Sequence, residues 1–362
     1  MAPVLFRRFP PLALCALLLS LSCCHSKHPM EPYQTEKFAL DAAPGAAGSY
    51  PVQIHRGEFT NSATSTRFVV PYGHYLQDSW GTSGIAWGVG DEQQPVPDSL
   101  HLRWFAWAEN QFYEGRFALP QRKIYDLLKQ GFWDQERRQH TTYSSLTVCV
   151  LPKGGVVVWL GGGNQVLVGR FQGRPINYDW LRYSAGRDDR AQLVAERQAK
   201  MLPQVRAEIA AGTISSRQWD TYLAAVYPWK LEAAEQDGRQ ELPLRLRDYS
   251  VDYLNAEGFS YPPTQDLGPY LRTMLELSPK PVPRELHLHL ENRYHEKHLL
   301  RIDPFDEAET LAAFQALHAR HPQEPIVLRV LVDKRVTKVA LSVSNGFQTI
   351  PLDKATVKHF EE

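Results

Sequence analysis

The stretch Leu100–Gly131, reading LHLRWFAWAENQFYEGRFALPQRKIYDLLKQG, decides the fold class. Two aromatic-rich runs, Leu100–Ala108 and Phe112–Leu119, flank the turn Glu109-Asn110-Gln111 and predict an antiparallel hairpin. Pro120 then opens a helix that Gly131 closes. Strand alternation puts Leu100, Leu102, Trp104, Ala106 and Ala108 on one wholly apolar face. The opposite face, with His101, Arg103, Phe105, Trp107 and Glu109, is mixed. In the helix, Ile124, Leu127 and Leu128 recur at helical spacing, enough to cover a sheet.

Outward toward the C-terminus, Leu146–Leu151, Val156–Leu160 and Val166–Phe171 are short β-rich runs separated by glycine-bearing turns, which predicts an antiparallel meander. Asp188–Ala211 carries a helical stripe through Val194, Met201, Val205 and Ile209, which Pro203 kinks or splits. Ser215 and Gln218 form a capping box for a second helix that Pro228 stops. Glu232–Glu241 reads as an exposed charged stretch, Leu242–Leu254 as a strand returning to the first sheet, and Asp266–Leu277 as a short helix. Pro279–Pro283 reads as a linker. Beyond it, strands at Glu285–Leu290, Leu299–Ile302, Ile326–Val332 and Lys338–Val343 surround a helix at Glu307–Arg320 capped by Asp306. The fold class expected is α+β: a mainly antiparallel sheet and meander, an inserted helical hairpin at about 188–228, and a C-terminal β-α-β-β unit. The main domain spans 51–278, and 284–362 forms either a small unit or a continuation of the sheet.

Toward the N-terminus, Val52–Ile54 and Phe68–Val70 read as strands, and glycines 81, 84, 88 and 90 suggest turning backbone around Trp80 and Trp87. Residues 23–50, polar and then rich in Ala, Gly and Pro, read as a tether. Residues 1–22 read as a signal peptide, with Arg7 and Arg8 ahead of the apolar run Leu12–Leu21, which is too short to span a bilayer. The following Ser20-Leu-Ser-Cys-Cys24 resembles a lipobox, in which Cys23, or alternatively Cys24, receives the lipid that anchors the chain to a membrane. No Asp follows Cys23, which by resemblance to lipoprotein sorting signals favours the outer membrane.

The 362 residues, 43% hydrophobic, suffice for a sizeable core. Lys plus Arg equal Asp plus Glu at 40 each, so charge gives no argument for a nucleic-acid partner, and none is expected. After processing, the remaining cysteines exclude a disulfide framework, and Cys149 in a strand-like run reads as a small buried hydrophobe.

Candidate sites are few. Glu109 and Glu114 bracket the hairpin turn on an aromatic sheet, which invites a two-carboxylate glycosidase reading, although turn glutamates are ordinarily just exposed. Trp107, Glu109 and Tyr113 are the candidate partner-binding residues, because aromatics on a mixed face serve as interface anchors. Trp104 reads as core. His287, His289, His295 and His298 suggest a metal site, with His287 and His289 sharing a strand face. His295-Glu-Lys-His298 is one residue short of the zinc-protease spacing and sits in a turn, so a solvated strand face is the expectation and no metal is assigned. The Gly161 triplet lacks the Lys and the helix of a phosphate loop, no nucleophile elbow occurs, and neither a cofactor nor catalytic residues are expected.

Trp104-Phe-Ala-Trp-Ala-Glu-Asn-Gln-Phe-Tyr113 leading to Leu119-Pro120, Gly154-Gly-Val-Val-Val-Trp159-Leu-Gly, and Asn177-Tyr-Asp-Trp180, together with the lipobox, resemble the bacterial lipoprotein family called domain of unknown function 2931, over about Ser79–Lys230. The family brings no catalytic residues to carry over. The resemblance implies a Gram-negative envelope lipoprotein facing the periplasm. Because members often stand beside type VI secretion phospholipase effectors, it also implies an immunity role, the partner being a secreted lipase effector. The alternatives are an envelope enzyme or carbohydrate-binding module using the aromatic sheet, and a structural envelope lipoprotein.

Overall fold

The computed structural model describes residues 30–85, 92–134, 137–184, 186, 189–237, 240–261 and 276–362. The signal peptide, Cys23, Cys24, Trp87 and the short helix expected at Asp266–Leu277, but for its last two residues, lie outside the described residues.

The first elements are α1 (Pro32–Thr35), β1 (Lys37–Phe38) and β2 (Asp41–Ala46). The tether reading fails here: β2 runs parallel to residues 145–150, and Ala42, Ala46 and Ala47 are fully buried. Small side chains let this segment lie close beneath a neighbouring loop, where Ser79 donates its backbone N–H to the Ala46 carbonyl (2.9 Å) and Ser83 its hydroxyl to that of Pro44 (2.6 Å). A composition that reads as flexible is here the condition for close approach.

Next come β3 (Val52–Asn61), β4 (Thr66–Val69), β5 (Tyr75–Leu76), β6 (Gln94–Pro95), β7 (Ser99–Ala106), β8 (Gln111–Ala118) and α2 (Gln121–Gln130). The hairpin and helix of the opening stretch are therefore present within two residues of their expected ends. Cross-strand pairs run from Ser99–Ala118 to Ala106–Gln111, and Asn110 takes the left-handed backbone that the turn requires. β9 (Phe132–Asp134) and β10 (Gln139–Thr141) form a small hairpin, followed by the meander strands β11 (Ser145–Val150), β12 (Gly155–Gly161) and β13 (Gln165–Gln172), then β14 (Arg174–Ile176). The opening hairpin lies centrally in a six-stranded sheet ordered β14-β8-β7-β3-β4, with β5 also paired to β3. The meander belongs to a second sheet. Ile54, Phe59, Leu102 and Trp104 of the first pack with Val148, Val156, Val158 and Leu160 of the second in one core, so the two sheets meet face to face.

Helices α3 (Trp180–Ser184), α4 (Arg190–Ala199), α5 (Pro203–Ala211) and α6 (Arg217–Ala224) follow. Pro203 splits the long helical stretch as expected, because proline is accommodated at a first helical turn and not in an interior. Ser216, not Ser215, is the N-cap residue of α6. Val194, Met201 and Val205 from this layer bury Phe105, Trp107 and Phe112, the outer side of the opening hairpin.

The remaining strands are β15 (Val226–Asp237), β16 (Gln240–Pro243), β17 (Arg245–Tyr253), β18 (Gly258–Tyr261), β19 (Ser278–Pro281), β20 (Pro283–Glu291) and β21 (Lys297–Ile302), then α7 (Glu307–Arg320), β22 (Ile326–Val332), β23 (Val339–Ser344), β24 (Thr349–Pro351) and β25 (Val357–Glu361). Asp306 caps α7 by accepting from the Glu309 N–H at 2.8 Å. The meander sheet has nine strands, β2-β11-β12-β13-β18-β17-β20-β21-β25, and β15, β16, β19 and β22–β24 form a third sheet. Two expectations are corrected. Within the stretch expected to be exposed, residues 232–235 are instead paired in a sheet: β15 lies parallel to β22, and Glu235 is 2% exposed where Arg293 meets its carboxylate at 2.6 Å. Residues 279–283 are not a linker: β19 pairs with β15 and Val282 is fully buried. Pro279 and Pro281 sit on a strand bonded to β15 alone, a position at which missing N–H donors are tolerated. The C-terminal strands thus continue two sheets built by the preceding chain.

Candidate functional site

Of the residues expected to bind a partner, Trp107 and Tyr113 are buried and Glu109 is half-buried. Trp107 is 3% exposed, edge-on to Phe105 at 4.9 Å, with the Arg197 guanidinium 5.7 Å from its ring. Tyr113 is 6% exposed and stacks on Trp104 at 5.6 Å. Its hydroxyl donates to Glu109, which also accepts from the Lys153 N–H at 2.7 Å and so ties the hairpin turn to the loop before β12. Burial, and then Glu109, push the Tyr113 phenol far above its ordinary pKa. α3–α5 fold over Phe105, Trp107 and Phe112, while Trp104 and Tyr113 lie in the core between the two sheets, so Trp104, Trp107 and Tyr113 offer no sugar-stacking platform. Glu114 does not join Glu109. It accepts from His101 (3.1 Å) and Arg103 (3.0 and 2.5 Å); burial opposes its charge, but these partners outweigh burial and hold the carboxyl below its usual range. Cys149 is fully buried, and burial raises its thiol to about 12, so it stays protonated and inert at neutral pH.

A group of accessible polar side chains stands on one face of β17, β20, β21 and β25. Alternation builds it: Tyr249, Val251, Leu286, Leu288, Leu290, Leu300 and Ile302 point into the core with Phe314 of α7, and the residues between them point the other way. Register then lines up Asp248, His289, Leu299 and Phe360 in one row, and Ser250, His287, Arg301 and Lys358 in the next. His289 is held between Asp248 (Nε2–Oδ1 3.5 Å) and Glu362 (Nδ1–Oε1 2.5 Å), while Arg247 reaches the other oxygen of Glu362 at 2.7 Å. Burial raises the Asp248 carboxyl, against the pull of His289 and Arg247. The Arg301 guanidinium sits 5.5 Å from the Phe360 ring, a side chain 45% exposed on the last strand of the sheet. A cavity of about 450 Å³ opens here, lined by Arg138, Asp248, His289, Arg301 and Glu362 among others.

The four histidines do not converge. His295 pairs with Glu291 at 2.8 Å, and His298 with His359 at 3.0 Å. His287 lies instead beside Glu285 and Asp303, each offering a ligand atom within 4.8 Å of the others, so these three are the described residues that could hold a metal ion. Burial, then Arg301, lower the His287 imidazole below its ordinary pKa, while burial raises the Glu285 and Asp252 carboxyls. Asp248, Asp303 and Glu362 carried no signal in the sequence, since strand register, and for Asp303 and Glu362 backbone hydrogen bonds just past β21 and β25, bring them to the histidines.

Among the described residues, no helix is long and apolar enough to cross a membrane. No curated protein and no solved structure matches the chain. A family model does match, over residues 26–214, beginning and ending earlier than the resemblance noted in the sequence and stopping short of every strand of the charged face. With more than half of its length covered, the chain belongs to the family described as protein of unknown function DUF2931.

Proposed function

We propose that this chain is a periplasm-facing envelope lipoprotein, lipidated at Cys23 with Cys24 as the alternative, and that it acts by binding a protein partner, a secreted lipase effector. The observation that carries the binding reading is the outer face of β17, β20, β21 and β25. Carboxylates and cations stand side by side there on a rigid sheet, and the half-exposed Phe360 lies against Arg301 at its edge. Arginine and aromatic side chains are the usual anchors of protein interfaces, and patterned charge selects and steers a partner. The leader, the lipobox and the relation to the family support placement at the outer membrane, and the immunity role rests on the effectors beside which family members often stand.

The test has two arms. Cys23→Ser should move the chain from the membrane to the soluble periplasmic fraction; retention in the membrane would refute the anchor. A susceptible host expressing the effector should survive when the full chain is co-produced, and continued killing alongside a stably produced full chain would refute the immunity role.

A further inference from the structure

We propose that Glu285, His287 and Asp303 form a binding site for a divalent transition-metal ion, with Zn²⁺ the best match. Glu285 and His287 are two residues apart on β20 and share a face. Asp303 follows β21, and its backbone N–H bonds to the Thr356 carbonyl (2.9 Å) while that of Phe305 bonds to the Arg284 carbonyl (2.9 Å), so the loop carrying it is pinned against β20. The three candidate ligand atoms already lie within 4.8 Å of one another. A tetrahedral zinc site, with bonds of roughly 2.0–2.2 Å and so ligand atoms about 3.4 Å apart, needs them closer by at most about 1.4 Å, which half-exposed side chains reach by torsional changes.

A second observation is independent of this spacing. The Nε2 of His287 has no accessible surface and no hydrogen-bond partner, so the ring retains coordinating capacity that the fold does not use. Two carboxylates and a neutral imidazole cancel the charge of a divalent ion. The nitrogen donor and the small number of ligands favour zinc over calcium or magnesium, which take more oxygens. Three protein ligands also leave a position for solvent or for a group from a bound molecule. The present competitor is Arg284, 3.3 Å from Glu285 and 4.0 Å from Asp252. An ion entering the site displaces that guanidinium from Glu285, so Arg284 should weaken binding.

The experiment uses the full chain in detergent, stripped with EDTA and titrated with ZnCl₂ against a chromophoric chelator. One Zn²⁺ per chain is expected. His287→Gln and Asp303→Asn should each weaken it by at least about tenfold, the scale on which even outer-shell partners act. Arg284→Gln should strengthen it, and His298→Gln should leave it unchanged. Glu285→Gln serves as a further ligand variant, and thermal unfolding in EDTA verifies that each variant folds. Absence of zinc binding, or full-strength binding by folded His287→Gln and Asp303→Asn, would overturn the assignment, as would loss of binding in folded His298→Gln alone.

Discussion

Trp107 shows what a single residue's pattern can and cannot reveal. Alternation places it opposite Trp104, but it cannot say that α3–α5 will cover that side, because the covering residues lie more than seventy positions later. Trp107→Ala should therefore destabilise the chain by about 3–5 kcal/mol, read as a lower urea midpoint, like other large-to-small core changes. A surface-like change below about 0.5 kcal/mol would contradict its place in the core. Lys280 gives a pH test. Burial lowers its pKa from 10.5 to about 8, while its Nζ donates to the Glu276 carbonyl and Ser278 hydroxyl. A lysine depressed in the folded state contributes stability that is present above its unfolded pKa and lost as pH falls through about 8. Relative to Lys280→Met, the native chain should gain thermal stability between pH 8 and 10, and parallel melting curves across that window would show the shift to be absent.

At the scale of elements, the strong periodic signals were legible. The β7–β8 hairpin, α2, the β11–β13 meander and α7 occur where the sequence places them, because each satisfies its own alternation, helical stripe or cap. What alternation leaves open is the neighbour. The hairpin and the meander lie in different sheets, and β2, β15 and β19 were missed because alanine reads as tether, charge as exposed surface and proline as linker when tertiary pairing is unknown. The same pairing makes residues 284–362 dependent on what precedes them, since β20 bonds to β17 and β22 to β15. Expressed alone, that segment should show no cooperative unfolding transition by circular dichroism, and a sharp transition would establish it as an autonomous domain.

On the scale of the whole molecule, the family match and the charged face occupy different parts of the chain. Residues 26–214 build the six-stranded sheet, the meander and most of the helical layer, whereas β17, β20, β21 and β25 come later. The candidate face was legible only as scattered polar positions, among them His287 and His289, because a surface assembled from four strands exists only after register is set. The binding role proposed for it makes the most exposed demands on Arg301, which stands between His287 and Lys358 and over Phe360. The most direct test is the affinity of the full chain for a secreted lipase effector, the partner proposed above, measured for the native chain and for Arg301→Glu. The account predicts tight binding by the native chain and a loss of at least about tenfold in a variant that melts at the same temperature, as for truncated or reversed interface charges. No binding by the native chain, or equal affinity in Arg301→Glu, would contradict it.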